Sequence, residues 1–201
     1  MTMKIMIIGV TGTVGGEVRR ALLDITSHYL VDYSRHASRL KKQGDNREDV
    51  VTGDVNDVSL LAKVMNGVDV VVASLSGDLV RMARSIVEAA KSADVKRIIF
   101  VSSMGIHNEV PAKFGGGNVS INPQLEPYRD AAQVIMDSGI DYTIIRPGWF
   151  DWGDTNYRIT HEGEPFGGHD VAVPAIADLI VRVIDDEVDG HKQSLGINRP
   201  E

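Results

Sequence analysis

Short runs of consecutive apolar residues recur along this chain. Each is followed by a longer stretch in which apolar residues return every three or four positions. "KIMIIG" from Lys4 is the first run, and "VGGEVRRALLD" after it has helical spacing. "HYLVDYSR" from His28, "DVVTGDV" from Asp49, "DVVVASLS" from Asp69, "KRIIFVSS" from Lys96 and "DYTIIRP" from Asp141 are further strand candidates, with "QSLGIN" a last one near the end. "DVSLLAKVMNG", "DLVRMARSIVEAAKSA", "EPYRDAAQVIMDSG" and "AIADLIVRVIDD" carry the helical period between them. Strands apolar on both faces and separated by crossover helices predict a parallel sheet covered on both sides. The expected fold is therefore α/β, a single doubly wound parallel sheet of the Rossmann kind, with one domain over residues 1–201.

The irregular stretch at 104–127 is long for a compact domain, which fits either a functional lid or a mobile loop. The chain has 201 residues and no cysteine. A unit of this size buries roughly 70% of its unfolded surface and needs no disulfide or metal staple. The absence of cysteine excludes a disulfide framework, thiolate metal sites and cysteine nucleophiles. The apolar run at the start breaks at Gly9, too early to span a bilayer, so a cytoplasmic chain with no membrane partner is expected. Net charge is −7, with no basic stripe, and a nucleic-acid partner is not expected. A monomer or a homodimer fits equally.

Candidate chemistry begins at residues 9–16, "GVTGTVGG", which join the first strand to the first helix. Gly9, Gly12 and Gly15 allow a tight turn, close approach of backbone to a pyrophosphate, and close helix–strand packing. The helix start then offers unpaired N–H groups to phosphate. The spacing is G-x-x-G-x-x-G, and it lacks the Gly-Lys-Ser/Thr ending of a P-loop. At the exit of the second strand stand Ser34, Arg35 and Arg39. Arginine suits a ribose 2′-phosphate, where an acidic residue would take a 2′-hydroxyl. NADP(H) is therefore the preferred cofactor. NAD(H) remains possible if Asp32 reaches the site, and the arginines can also be read as solvated loop charges.

Four motifs occur in order: "GVTGTVGG", "GDV" at Gly53, "FVSS" at Phe100 and "SGIDYTIIRPG" at Ser138. Together they resemble the atypical branch of the short-chain dehydrogenase/reductase superfamily. The nearest group is the small NmrA-like and flavin-reductase-like proteins of the biliverdin-IXβ reductase kind. The resemblance spans nearly the whole chain. It implies seven or so strands with NADP over their C-terminal edge. It implies that Thr11, Gly12, Thr13 and Val14 surround the pyrophosphate, that Arg35 holds the 2′-phosphate, and that Asp54 and Val55 border the adenine. Leu75 and Ser76 would lie beside the ribose and nicotinamide, Ser102 and Pro147 would complete the cofactor set, and Ser103 would face the nicotinamide. Gly148, Trp149 and Phe150 would line the substrate pocket, making 104–127 and 148–172 the substrate-side loops.

One departure from that superfamily bears on mechanism. Its typical members carry Tyr-x-x-x-Lys, because a phenol is a poor base near neutrality unless a cation stabilises its phenolate. Counted back from "SGIDYT", the tyrosine position falls on Gln124 and the lysine position on Tyr128. Tyr128 is then either a substrate contact or a helix-start residue with a capping or packing role. Hydride transfer to a flavin or quinone depends mainly on positioning and exclusion of water, so the missing pair argues against ketone chemistry more than against reduction of a flat conjugated acceptor. The expected activity is an NAD(P)H-dependent reductase in which Ser103 and Tyr128 orient a small-molecule electron acceptor. The alternative is a non-catalytic NADP(H)-binding sensor.

"HEGEPFGGHD" from His161 holds two histidines and three carboxylates. It matches no compact metal motif, so a loop or hairpin is expected and no metal. His28, His36, His107 and His191 read as surface residues. Trp149, Phe150 and Trp152 form either a stacking wall for a flat acceptor or packing under the loops.

Overall fold

Along β1 (Lys4–Ile8), alternate side chains leave on opposite faces of the sheet, and both faces are apolar. Ile5 and Ile7 pack with α1 (Thr13–Ile25) and α5 (Val173–Ile184), whereas Met6 and Ile8 pack with α2 (Val58–Val64), α3 (Leu79–Ser92) and α4 (Glu126–Met136). The other central strands are β2 (Tyr29–Ser34), β3 (Glu48–Thr52), β4 (Val70–Ser74), β5 (Arg97–Val101), β6 (Asp141–Pro147) and β10 (Gln193–Asn198). All but β3, which lies at the sheet edge and carries Glu48, Asp49 and Thr52, are largely apolar on both faces, so each helix layer covers its own core. This computed structural model describes residues 2–43, 46–115 and 117–200. The expectations spanning 1–201 and 104–127 hold Met1, Gly44, Asp45, Gly116 and Glu201, which lie outside the described residues.

The sheet order is β3-β2-β1-β4-β5-β6-β10-β8, where β8 is Arg158–Thr160. All neighbours run parallel except β8, which lies antiparallel to β10 with Thr160 opposite Gly196. Seven strands run parallel, in line with the seven or so expected, and β8 adds an antiparallel eighth at the edge. Residues 161–169 form a loop, one of the two forms expected there. β7 (Trp149–Asp151) and β9 (Asp170–Ala172) pair with each other in parallel, and β8 joins the main sheet instead. The strand order reverses direction between β1 and β4. A crevice opens at such a switch point, outside the carboxyl ends of the strands.

Charged residues inside this frame are paired. Asp32, in the middle of β2, is fully buried and meets Arg19 of α1 at 2.6 Å, and Arg19 also pairs with the buried Glu48 of β3. Asp32 therefore cannot reach a ribose, which removes the NADH reading that depended on it. Burial, and then the neighbouring Glu48, push the Asp32 carboxyl up to about 7 against the pull of Arg19. Folded protein thus holds a proton that the unfolded chain releases near pH 4. That contribution to stability is complete below the unfolded value and fades as pH climbs through about 7. The melting temperature should fall between pH 5 and pH 8, and Asp32→Asn should flatten that fall. An equally steep fall in the variant would place the titration elsewhere.

His28 is also corrected: it is buried, with Nε2 2.7 Å from Asp185 at the end of α5.

Candidate active site

The glycine loop is shaped by contacts that no side chain could share. Gly9 has φ +87°, and a Cβ there would lie 2.0 Å from the Ser74 carbonyl oxygen. A Cβ on Gly15 would lie 2.4 Å from the Gly9 carbonyl oxygen. The first fixes the loop against the end of β4, and the second lets α1 start directly under it. Gly12 caps α1 without any side-chain hydrogen bond, and the first turn carries no acidic residue. The N–H groups of that turn are left for an anion, with the helix dipole favouring negative charge. Thr11 donates to the Ser34 hydroxyl at 3.0 Å, and the His36 N–H donates to the same oxygen at 3.2 Å. These bonds tie the loop to the exit of β2.

A cleft follows from this at the carboxyl ends of β1 to β4. Gly9, Thr11, Gly12, Ser34, Arg35, Asp54, Val55, Leu75 and Ser76 all line it, as the sequence led one to expect. Thr13 and Gly15 belong to the first turn of α1, and the Val14 side chain is in the core, so Val14 and Gly15 offer backbone only, while Thr13 is exposed. Arg39 is exposed at the end of the short 3₁₀ turn Ala37–Arg39 and does not line the cleft. Tyr33 and His36 were missed. Tyr33 reads as core in a strand pattern, yet its hydroxyl reaches the cleft wall and donates to the Asp54 carbonyl at 2.9 Å. Burial, followed by Asp57 and Asp54, pushes that phenol up to about 12, so it stays a donor. Gly53 makes room for it, since a Cβ there would sit 2.3 Å from the Tyr33 oxygen.

One strand further along the sheet edge, beyond β5 and β6, lies a second pocket of about 420 Å³. Ser102 and Ser103 from the end of β5 and Pro147 and Gly148 from the end of β6 line it, with Tyr128 of α4 and the aromatic residues Trp149 and Phe150 of β7. Ser102 and Pro147 thus sit with the second pocket and not with the first. Trp149 is 64% exposed, Phe150 51% and Trp152 68%, which excludes core packing for all three. Trp152 does not line the pocket, and neither does any residue from 151 to 172. Trp149 is held against His169, ring centroids 6.1 Å apart and planes 19° from parallel. Asp151 is clasped by Arg199, whose Nη2 lies 2.7 Å from both carboxylate oxygens. The Ser102 hydroxyl donates to the Tyr128 carbonyl at 3.2 Å, tying α4 to β5. Ser103 donates to the Met104 carbonyl at 3.0 Å. Gln124 and Asn122 also line the pocket. Gln124 and Tyr128 thus face the same space.

Glu109, in the stretch after β5, is held by an ion pair that the sequence did not disclose. Arg146 of β6 is fully buried and pairs with Glu109. It also donates to the carbonyls of Ser194 at 3.1 Å and Thr160 at 3.3 Å. Glu109 in turn accepts the N–H groups of Gly105 at 3.0 Å and His107 at 2.9 Å. The His107 ring, 2.9 Å from the Ser194 hydroxyl, is held below its usual range by burial and then by Arg146. It is a pinning residue, not a surface one. Among the described residues no group of three or more His, Asp and Glu is placed to hold a metal ion. No helix among them is long and apolar enough to cross a membrane.

A nucleotide cleft at the switch point of a doubly wound sheet defines a dinucleotide-binding protein. The chain belongs to the family described as NAD(P)H-binding, whose model matches residues 9–187. It is 28% identical over 151 residues to an NAD(P)H azoreductase of Xenophilus azovorans, covering 73% of this chain and 48% of that protein. The chain therefore spans about half the length of that curated relative. A Rossmann-fold NAD(P)-binding family protein from Shigella flexneri superposes with a TM-score of 0.85 at 33% identity, covering 100% of this chain and 95% of that one. A short-chain dehydrogenase/reductase from Veillonella parvula, solved in complex with NADP, has a TM-score of 0.89 at 24% identity, covering 100% and 96%.

Proposed function

We propose that this chain is an NADPH-dependent reductase that passes a hydride to a flat conjugated acceptor of the flavin or quinone type. The observation that carries this reading is that the two pockets lie over neighbouring strand ends of one sheet edge. The nucleotide cleft ends at β4, and the next strands, β5 and β6, floor a pocket rimmed by the exposed rings of Trp149 and Phe150. The residues present fit the dinucleotide: glycines at 9 and 15 let the loop close against β4 and α1 start directly under it, and the α1 N-terminus is free of acid. Bound NADPH would supply the hydride. Gly12 and the first turn of α1 would hold its pyrophosphate, and Arg35 its 2′-phosphate. Ser103 and Tyr128 orient the acceptor by hydrogen bonds, and the aromatic rim stacks on it and excludes water. The relative that reduces azo compounds agrees with a conjugated acceptor.

Tyr128→Phe and Ser103→Ala each remove one neutral hydrogen bond, so kcat/KM for the acceptor should fall about 3–10-fold. The Kd for NADPH should stay unchanged. Loss of NADPH absorbance at 340 nm with a panel of flavins and quinones measures this. Tight NADPH binding without turnover of any acceptor would overturn the reductase. It would favour a redox sensor, a reading to which the absent Tyr/Lys pair lends support.

A further inference from the structure

The two pockets differ in their ionisable side chains. The nucleotide cleft presents Arg35, His36 and Asp54. The acceptor pocket, among its described residues, is lined by no Lys, Arg, His, Asp or Glu. Its polar groups are the hydroxyls of Ser102, Ser103 and Tyr128 and the amides of Asn122 and Gln124. We infer that the acceptor taken here is uncharged, a neutral quinone in preference to acceptors that carry phosphate, sulfonate or carboxylate on the part entering the pocket. This rests on the reductase reading of the same site.

The charges around the pocket strengthen the inference, because each is already engaged. Arg146, one residue before the pocket-lining Pro147, is closed off by Glu109. Arg129, next to Tyr128, is paired with Asp130 at 2.8 Å. His169, behind Trp149, is 2.7 Å from Asp170. The start of α4 would favour an anion through its dipole, but Glu126 stands in that first turn and offsets it. An anionic substituent entering this space would lose hydration and gain no cationic partner. A neutral ring loses little and gains contact with Trp149, Phe150, Leu125 and Met104.

The reaction balances without a charged acceptor. Two electrons and one hydrogen pass from the reduced nicotinamide to a quinone oxygen, the nicotinamide being oxidised and the quinone reduced to the hydroquinone anion. A proton from water then completes the hydroquinone. The negative charge is then left on the opposite quinone oxygen, which the Tyr128 hydroxyl would meet with a hydrogen bond, joined by the Ser103 hydroxyl once it turns from the Met104 carbonyl.

The test compares 2-methyl-1,4-naphthoquinone with 1,4-naphthoquinone-2-sulfonate, which share a ring system and differ in charge. At saturating NADPH and fixed salt, kcat/KM should favour the methyl compound by about tenfold or more. The sulfonate is intrinsically easier to reduce, so this preference could not come from driving force. Gln124→Lys should move the ratio toward the sulfonate by about tenfold. The chain has two tryptophans, one of them in the pocket wall, so quenching of their emission reports the Kd of each quinone independently of turnover. Equal or tighter binding of the sulfonate by the unaltered protein, or equal kcat/KM, would overturn the inference. Absence of turnover with both quinones, together with tighter binding of the neutral one, would instead overturn the reductase reading and leave the charge preference standing.

Discussion

Glu109→Ala should destabilise this protein by about 3–5 kcal/mol, the cost of leaving a buried charge without its partner. Arg146 is fully buried, and its other partners are backbone carbonyls that cannot neutralise it. The change also orphans the Gly105 and His107 N–H groups. Against a total stability of about 5–15 kcal/mol for a domain, that is a large share. Chemical denaturation should show it as a lower midpoint. The double variant Glu109→Leu with Arg146→Met should lose less than the sum of the two single changes, because the two residues act as a unit. In the folded fraction of Glu109→Ala, KM for the acceptor should rise while the Kd for NADPH holds, since the cofactor cleft is built on β1 to β4. Additive losses would mean that the pair is not coupled.

Arg35→Ala should weaken NADPH binding about tenfold and leave NADH binding nearly unchanged, abolishing the preference between the two. Arg35 is exposed at the mouth of the cleft. Charge-assisted hydrogen bonds to phosphate are strong, but exposure and salt reduce them, which is why the lower end of their range applies. Arg39→Ala is the control, because Arg39 does not line the cleft. Titration of each variant with both nucleotides at one ionic strength measures the effect. If Arg35→Ala leaves the preference intact, the 2′-phosphate is read by another group.

The sheet and its helices were legible because most strands are apolar on both faces and each helix repeats with its own period. Short-range patterns of that kind survive in any tertiary context. The glycine loop was legible for a similar reason: its geometry is set within eight residues. What escaped the sequence depends on partners far along the chain. Arg146 lies in "DYTIIRP", where the pattern says only strand, and its partner Glu109 is 37 residues away. Asp32 was ambiguous until β2 was seen to run on to Ser34 and Arg19 to reach it from α1. β7, β8 and β9 have three residues each, too few for a period to show. The second pocket was legible only at its strand ends. Asn122, Gln124 and Leu125 enter it from the irregular stretch before α4, where no period marks their direction.

The division of the sheet edge has a consequence for how such a protein can change. The first cleft is lined mainly from four strand ends on one side, whereas the second pocket is lined from two stretches of chain, at 102–128 and 147–150. Substitutions confined to those stretches can explore new acceptors while the source of reducing equivalents is kept. A directed library restricted to them, with Arg146 and Glu109 held constant, would sample chemistry without sampling misfolding. Lineages that diversify by drift have the same route open to them.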